Sequence, residues 1–253
     1  MTNGSLIPHN LFEARNIVKR IGTVVIADGV DIQVPAGSIV GMIGPTGAGK
    51  TTMLGIFSGS VKAQSGTVVF QDQDVTSLGT AKRARLGIGR TFQIPRPFDK
   101  LTVFEHALLA VQQARKVSTS ESHERAILAI ERCGLIKLVN TVGGDLRLLD
   151  RKRLEMARAV ALDPSLVLLD EVAGGLNNAE VGQLIEIVLS LRDEGISFLW
   201  VEHVIRALNA TADRIVCLSG GRLIAEGSPA EVLEHPAVIE SYFGSPAFMS
   251  TAS

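Results

Sequence analysis

Gly44-Pro45-Thr46-Gly47-Ala48-Gly49-Lys50-Thr51 fits the pattern G-x-x-x-x-G-K-[ST]. It follows the apolar, strand-like run 39–43 and precedes a helix-compatible run over 51–57, which is the context a phosphate-binding loop needs. Glycines let backbone N–H groups close around a polyphosphate without Cβ clashes, and the following helix aims its positive end at the same anion. Lys50 is expected to reach the β- and γ-phosphates of a nucleoside triphosphate. The Thr51 hydroxyl is expected to hold Mg²⁺, with Thr52 completing the cradle. No G-x-G-x-x-G stands here, which argues against a dinucleotide loop. Such a site also needs an acid at the end of a buried strand. Leu166-Val167-Leu168-Leu169-Asp170-Glu171 supplies it: Asp170 would face Mg²⁺, and Glu171 would polarise an attacking water as general base.

Outward from these motifs, short apolar runs alternate with helical patterns. Residues 24–26, 32–34, 39–43 and 68–70 read as strands separated by Gly and Pro. Thr102 with Glu105 makes a capping box opening a helix through Ala114, and Ser118 with Glu121 opens another through about Arg132, stopped by Gly134. A third helix is expected from about Arg151 to Ala161. The strand pattern resumes at 166–169, a helix runs from Asn178 to Arg192, and 198–201 and 215–218 are further strands. This order predicts one α/β unit spanning residues 1–253, with an all-helical arm inserted at about 95–158.

The 253 residues carry 25 Lys plus Arg against 26 Asp plus Glu, a net charge of −1 that argues against a chain built to grip nucleic acid. At 46% hydrophobic and 20% charged residues the composition is that of a folded domain. The longest uncharged run, 32–49, is broken by Pro35, Pro45 and five glycines, so no transmembrane helix is expected. Residues 1–10 lack the basic head and apolar block of a secretory signal. Cys133 and Cys217 read as packing residues of a chain in a reducing compartment.

Four further landmarks make the chain resemble the nucleotide-binding subunit of ATP-binding cassette (ABC) transporters over nearly its whole length. Arg90-Thr91-Phe92-Gln93 looks like the family's Q-loop, and 145–158 occupies its signature region. Gly174-Gly175-Leu176-Asn177 resembles the D-loop, and His203 in Trp200-Val201-Glu202-His203 matches the switch histidine. The Q-loop followed by Pro97-Phe98, the loop after Glu171, and the tail from His235-Pro236 to Tyr242-Phe243-Gly244 resemble the branched-chain amino acid importer branch. The resemblance implies a P-loop NTPase fold with a RecA-like core, an antiparallel β subdomain and an α-helical subdomain. It implies that Gln93 contacts Mg²⁺ or the attacking water, that His203 hydrogen-bonds the γ-phosphate and that Glu171 is the base. It further implies ATP and Mg²⁺ as ligands and a second ATPase subunit closing head to tail, in a homo- or heterodimer. The remaining expected partners are membrane permease subunits and, indirectly, a substrate-binding protein; the expected location is the cytoplasmic face of the cell membrane.

Several positions depart from the family. The signature, Leu-Ser-Gly-Gly-Gln or Leu-Ala-Tyr-Gly-Gln, aligns with Leu146-Arg147-Leu148-Leu149-Asp150. Arg147 is either a substitute phosphate contact or a surface arginine. Leu149 obstructs approach to phosphate unless it points away, and Asp150 is expected to cap a helix starting at Arg151. The basic cluster Arg147, Arg151, Lys152, Arg153 and Arg158 is expected on a helix face exposed to water or nucleotide. Val172 stands where the family has proline, and Ile21 falls where an aromatic residue stacks on adenine. The expected function is thus ATP hydrolysis driving an importer of branched-chain or related amino acids or amides. The alternative is a non-transport or weakly hydrolysing regulatory cassette.

Overall fold

A computed structural model of the chain describes residues 10–95, 97–114 and 117–243. Residues 1–9, on which the expectation about a secretory signal falls, and Gly244 of the tail motif lie outside them. The chain opens with β1 (Asn10–Ile21) and β2 (Val24–Pro35), an antiparallel pair turning at Gly22. Next come β3 (Ile39–Ile43), α1 (Lys50–Ser58), β4 (Ser65–Phe70), β5 (Gln73–Asp74), α2 (Thr80–Leu86) and β6 (Ile88–Arg90). Helices α3 (Val103–Ala114), α4 (Thr119–Arg132) and α5 (Leu148–Val160) form the inserted arm. Then follow β7 (Leu166–Asp170), α6 (Asn178–Asp193), β8 (Ser197–Val201), α7 (Ile205–Thr211), β9 (Arg214–Ser219), β10 (Arg222–Gly227), α8 (Pro229–Leu233) and α9 (Pro236–Phe243).

Two sheets result. One is antiparallel in the order β2-β1-β4-β5; the other runs β10-β9-β3-β8-β7-β6, parallel except for β10 at its edge. Every residue of β3, β7 and β8 is buried. Alternation along a strand shares these residues between two cores. Val40, Met42, Leu166, Leu168, Leu199 and Val201 pack with Met53, Leu54 and Phe57 of α1 and with Phe12 and Phe70 of the antiparallel sheet. Ile39, Ile43, Val167, Leu169, Phe198 and Trp200 pack on the other face with Leu154, Leu184 and Leu208 of the helices. Burial on both faces is the reason these strands read as unbroken apolar runs.

The differences from the sequence reading are local. Strand β1 was not foreseen, because Glu13, Arg15, Asn16, Lys19 and Arg20 hide its alternation and the pairing with β2 slips near Ile17. Strand β2 unites the two pieces read at 24–26 and 32–34, carrying Asp28, Gly29 and Asp31 through a bulged middle. Helix α3 is opened by the reciprocal Thr102–Glu105 bonds, and the Ser118 hydroxyl accepts from the Glu121 amide at the start of α4. Helix α5 begins at Leu148 rather than Arg151, because Leu146 and Leu149 are drawn into the apolar interior and pull the first turn forward. Asp150 is therefore not a cap. It lies inside the first turn, where its charge faces the positive end of the helix and its carboxylate is 3.4 Å from Arg153 Nη1. Among the described residues no helix is long and apolar enough to cross a membrane, and Cys133 and Cys217 are buried free thiols.

Phe57 is fully buried and meets Phe12 edge-on, with ring centroids 5.2 Å apart. Replacing Phe57 by Ala should cost about 3–5 kcal/mol of stability, because it empties the space between α1 and the antiparallel sheet. Denaturant unfolding measures this, and a loss below about 1 kcal/mol would contradict the shared core.

Candidate functional site

Parallel strands deliver their carboxyl ends to one edge, the usual place for a ligand crevice in such sheets. β3 ends at the loop 44–49, β7 at Asp170-Glu171, β8 at Glu202-His203 and β6 at Thr91–Gln93. Register aligns them: Met42 pairs with Val201, and Val201 pairs with Asp170. The loop must be glycine at its ends. A Cβ on Gly44 would stand 2.1 Å from the Leu218 carbonyl oxygen. One on Gly49, which has a φ of 96°, would stand 2.7 Å from Ile26 Cγ2. The Gly44 amide donates to the Tyr242 hydroxyl of α9 at 2.8 Å, tying the tail to the loop's first residue.

Lys50 is buried and its Nζ donates to the carbonyls of Gly44 (2.7 Å) and Pro45 (3.1 Å). Burial pulls its pKa down, opposed mainly by the Glu171 carboxylate. The Thr51 hydroxyl donates to Asp170 Oδ1 at 3.3 Å, and Arg90 Nη2 lies 3.3 Å from Asp170 Oδ2. Arg90 also reaches the hydroxyls of Ser58 and Ser60 and sits over the Phe92 ring. Thr51 and Asp170 present a hydroxyl and a carboxylate, hard oxygens of the kind Mg²⁺ accepts while keeping most of its ligands from water and phosphate. No cluster of three or more His, Cys, Asp or Glu among the described residues competes as a metal cage. The donor set therefore fits Mg²⁺ shared with a phosphate.

Glu171 is one of few non-glycine residues with a left-handed backbone, at φ 48°. That conformation costs of order 1–2 kcal/mol and has to be held by its surroundings. It turns the chain sharply after β7, so that the Glu171 carboxylate reaches His203: Oε1 is 2.8 Å from His203 Nε2. The Gln93 amide donates to the other oxygen, Oε2. Gln93 thus rests on the candidate base, with its amide group placed by a neighbouring strand. A cavity of about 330 Å³ is walled by Thr46, Gly47, Gly49, Lys50, Thr51 and Thr52 of the loop, and by Ile26, Gln93, Glu171 and His203 opposite. The loop, the candidate base Glu171, His203 and Gln93 are thereby brought together.

Ile21 is not in that wall. It ends β1, pairs with Val24 across the turn and is 54% exposed; Ile26 is the aliphatic residue that reaches the loop. In the signature region Leu149 is buried and turned away from the surface, whereas Leu148 is 44% exposed and packs near Gly175 of the D-loop. Arg147 is exposed. The other basic residues do not form an open face. Arg151 donates to the carbonyls of Gly144 and Leu146, Arg153 to Gln183 and Arg158 to Glu155, while Lys152 is buried. Arg90 and Tyr242 stand in the quoted motifs, but their contacts with Asp170 and Gly44 were not legible in the sequence, because those partners lie far along the chain. Beside the Thr51–Asp170 pair runs a groove. One part, of about 410 Å³, is lined by Phe92, Phe98, His106, Leu109 and Arg158, and Phe92, Ile94 and Phe98 are exposed.

The ABC transporter family model matches residues 27–174. The chain belongs to this family. A second model, of the branched-chain amino acid ATP-binding cassette transporter, matches residues 222–247. The cassette is 33% identical over 249 residues to the high-affinity branched-chain amino acid transport ATP-binding protein LivG of Escherichia coli (strain K12), covering 92% of this chain and 98% of that one. It is equally 33% identical over 234 residues to the lipopolysaccharide export system ATP-binding protein LptB of Acidithiobacillus ferridurans, covering 92% and 97%. Its fold is similar to that of a nucleotide-free ATP-binding cassette from an ABC transporter, with a TM-score of 0.85 and 30% identity, covering 94% of this chain and all of the other. A cassette in its ADP conformation gives a TM-score of 0.84 at 31% identity, with coverage of 94% and 100%. The cassette is accordingly a nucleotide-binding ATPase subunit of an ABC transporter.

Burial pushes the Asp170 carboxyl up from its ordinary value of 3.8, and the Arg90 charge and the hydrogen bonds from Arg90 and Thr51 pull it back. Arg90→Met removes the opposing charge, so the native pKa should rise further. The native cassette then holds a proton that the unfolded chain has released. Stability of the variant, relative to the parent, should therefore fall as pH rises from about 4 toward the raised pKa and level off above it. Urea unfolding at a series of pH values tests this; parallel profiles for the two proteins would contradict it.

Proposed function

We propose that this cassette hydrolyses Mg-ATP to drive an importer of branched-chain amino acids or related amides. The observation that carries the chemistry is the Glu171 carboxylate held by His203 and Gln93 across one small cavity from Lys50. In this reading Lys50 exchanges the Gly44 and Pro45 carbonyls for β- and γ-phosphate oxygens, and the loop amides bind the rest of the charge. Glu171 takes the proton of the attacking water, while His203 and Gln93 fix the carboxylate and sense the γ-phosphate. Thr51 and Asp170 would hold Mg²⁺, which neutralises phosphate charge when bound. Ile21 and Val24, exposed side by side, would cover the adenine by apolar contact.

The apolar groove around Phe92, Phe98 and Leu109 offers a seat for a transmembrane permease subunit. It adjoins the Thr51–Asp170 pair, so movement there reaches the nucleotide site. A second ATPase subunit, identical or not, would place its signature over the loop, and a substrate-binding protein would act through the permease. In this reading the cassette works at the cytoplasmic face of the membrane and nucleic acid has no role. The match over 222–247 favours the branched-chain substrate class over the export relative of equal identity. A weakly hydrolysing cassette is the second reading, favoured by exposed Leu148 and Arg147 in place of small signature residues.

Glu171→Gln should retain ATP and slow hydrolysis on the order of 10²–10⁴-fold, whereas Lys50→Ala should lose ATP affinity. Equilibrium nucleotide binding and phosphate release measure both. Parental turnover in Glu171→Gln would remove Glu171 from the role of base. For the substrate, cells carrying the cassette with its permease should lose uptake of radiolabelled leucine when Glu171→Gln is introduced; unchanged uptake would exclude this import role.

A further inference from the structure

The backbone that carries Glu171 is gripped from two sides by buried charges that the proposed chemistry does not use. Glu202, immediately before His203, is fully buried, and its carboxylate accepts from four N–H groups. Oε1 takes the Ala173 amide at 2.5 Å and the Trp200 indole at 3.2 Å; Oε2 takes the amides of His203 at 3.1 Å and Val204 at 3.2 Å. One carboxylate therefore joins the segment after Glu171 to the turn that presents His203. From the arm, Lys152 of α5 is 4% exposed and donates its Nζ to the Glu171 carbonyl at 3.3 Å. The Glu171 amide itself donates to the Val201 carbonyl at 2.9 Å. The left-handed Glu171 is thus fastened at its N–H, its C=O and, through Ala173, two residues on.

We propose that Glu202 and Lys152 are positioning residues for hydrolysis: together they set the Glu171 backbone and the His203 turn in register, and Lys152 makes that register depend on the arm. The inference rests on the reading of Glu171 as base. Its logic is electrostatic. A buried carboxylate satisfied by four donors is anchored more firmly than a neutral acceptor, because charge-assisted hydrogen bonds are about twice as strong as neutral ones. Burial raises the Glu202 carboxyl and lowers Lys152, and the Glu202 charge, followed by that of Glu171, works against the depression of Lys152. The Glu202 charge thus supports that of Lys152, and neither side chain lines the cavity itself. An ordinary core residue would be apolar at these depths, since an unpaired charge there is costly.

Full-length Glu202→Gln and Lys152→Met are compared with the parent and with Glu171→Gln by single-turnover hydrolysis of radiolabelled ATP, equilibrium ATP binding and thermal unfolding. A glutamine offers one acceptor oxygen and turns its NH₂ toward two N–H groups, so one of the two segments is released. Both variants should hydrolyse at least tenfold more slowly while ATP affinity stays within about twofold, since a misplacement of about 1 Å at a reacting group costs up to 10²-fold. Lys152→Arg, which keeps a donor, should recover part of the rate. Trp200 is the chain's single tryptophan. Its indole N–H resonance should therefore shift in Glu202→Gln and stay in Lys152→Met, reporting that each substitution acts where intended. If Glu202→Gln does not fold, the Lys152→Met and Lys152→Arg pair decides. Parental rates in the variants while Glu171→Gln is slow, or a matching loss of ATP affinity, would overturn the proposal. A fast Glu171→Gln would instead overturn the assignment of the base.

Discussion

The parallel pairing of β3, β8 and β7, apolar on both faces, is the constraint on which the rest depends. A strand buried on both sides cannot slip by one residue without exchanging its two cores, so the register is set by packing rather than by the loops. With the register set, the strand ends at Ile43, Asp170 and Val201 stand side by side. Glu171 and His203 then stand one and two residues beyond their strands. Lys50 and Thr51 follow from the turn out of β3, Glu171 from the turn out of β7, and His203 from the turn out of β8. The antiparallel sheet contributes by closing over α1, where Phe12 and Phe70 complete the inner core and Ile26 presses against Gly49.

Several buried charges inside this frame meet a donor or acceptor supplied by another element. Asp170 meets Arg90 of β6 and Thr51 of α1; Lys152 of α5 meets a carbonyl after β7; Glu202 meets amides from two loops. These contacts are also the routes by which the elements feel one another. The arm reaches the candidate base through Lys152, the groove reaches the Thr51–Asp170 pair through Arg90, and the tail reaches the loop through Tyr242. Charges that would be costly alone become stiff joints when satisfied.

By itself the sequence determined what depends on neighbours within a few residues. The loop 44–51, the apolar runs at 39–43 and 166–169, the Thr102–Glu105 and Ser118–Glu121 starts and the helix from Asn178 were legible, because period, capping and glycine placement are local signals. Asp170 and Glu171 were legible as the polar end of a buried strand. Tertiary structure decided the rest. β1 carries polar residues through a slipped pairing, so only its partners β2 and β4 make it a strand. Helix α5 starts at Leu148 because the core claims Leu146 and Leu149, which turns Asp150 from a cap into a first-turn charge and buries Lys152. Ile21 stays outside the cavity wall because it belongs to a turn, whereas Ile26 is carried inward by β2. Arg90, Tyr242, Lys152 and Glu202 meet partners 80, 198, 19 and 29 positions away in the chain. No local period encodes such separations; the packing of the sheet between its two cores does.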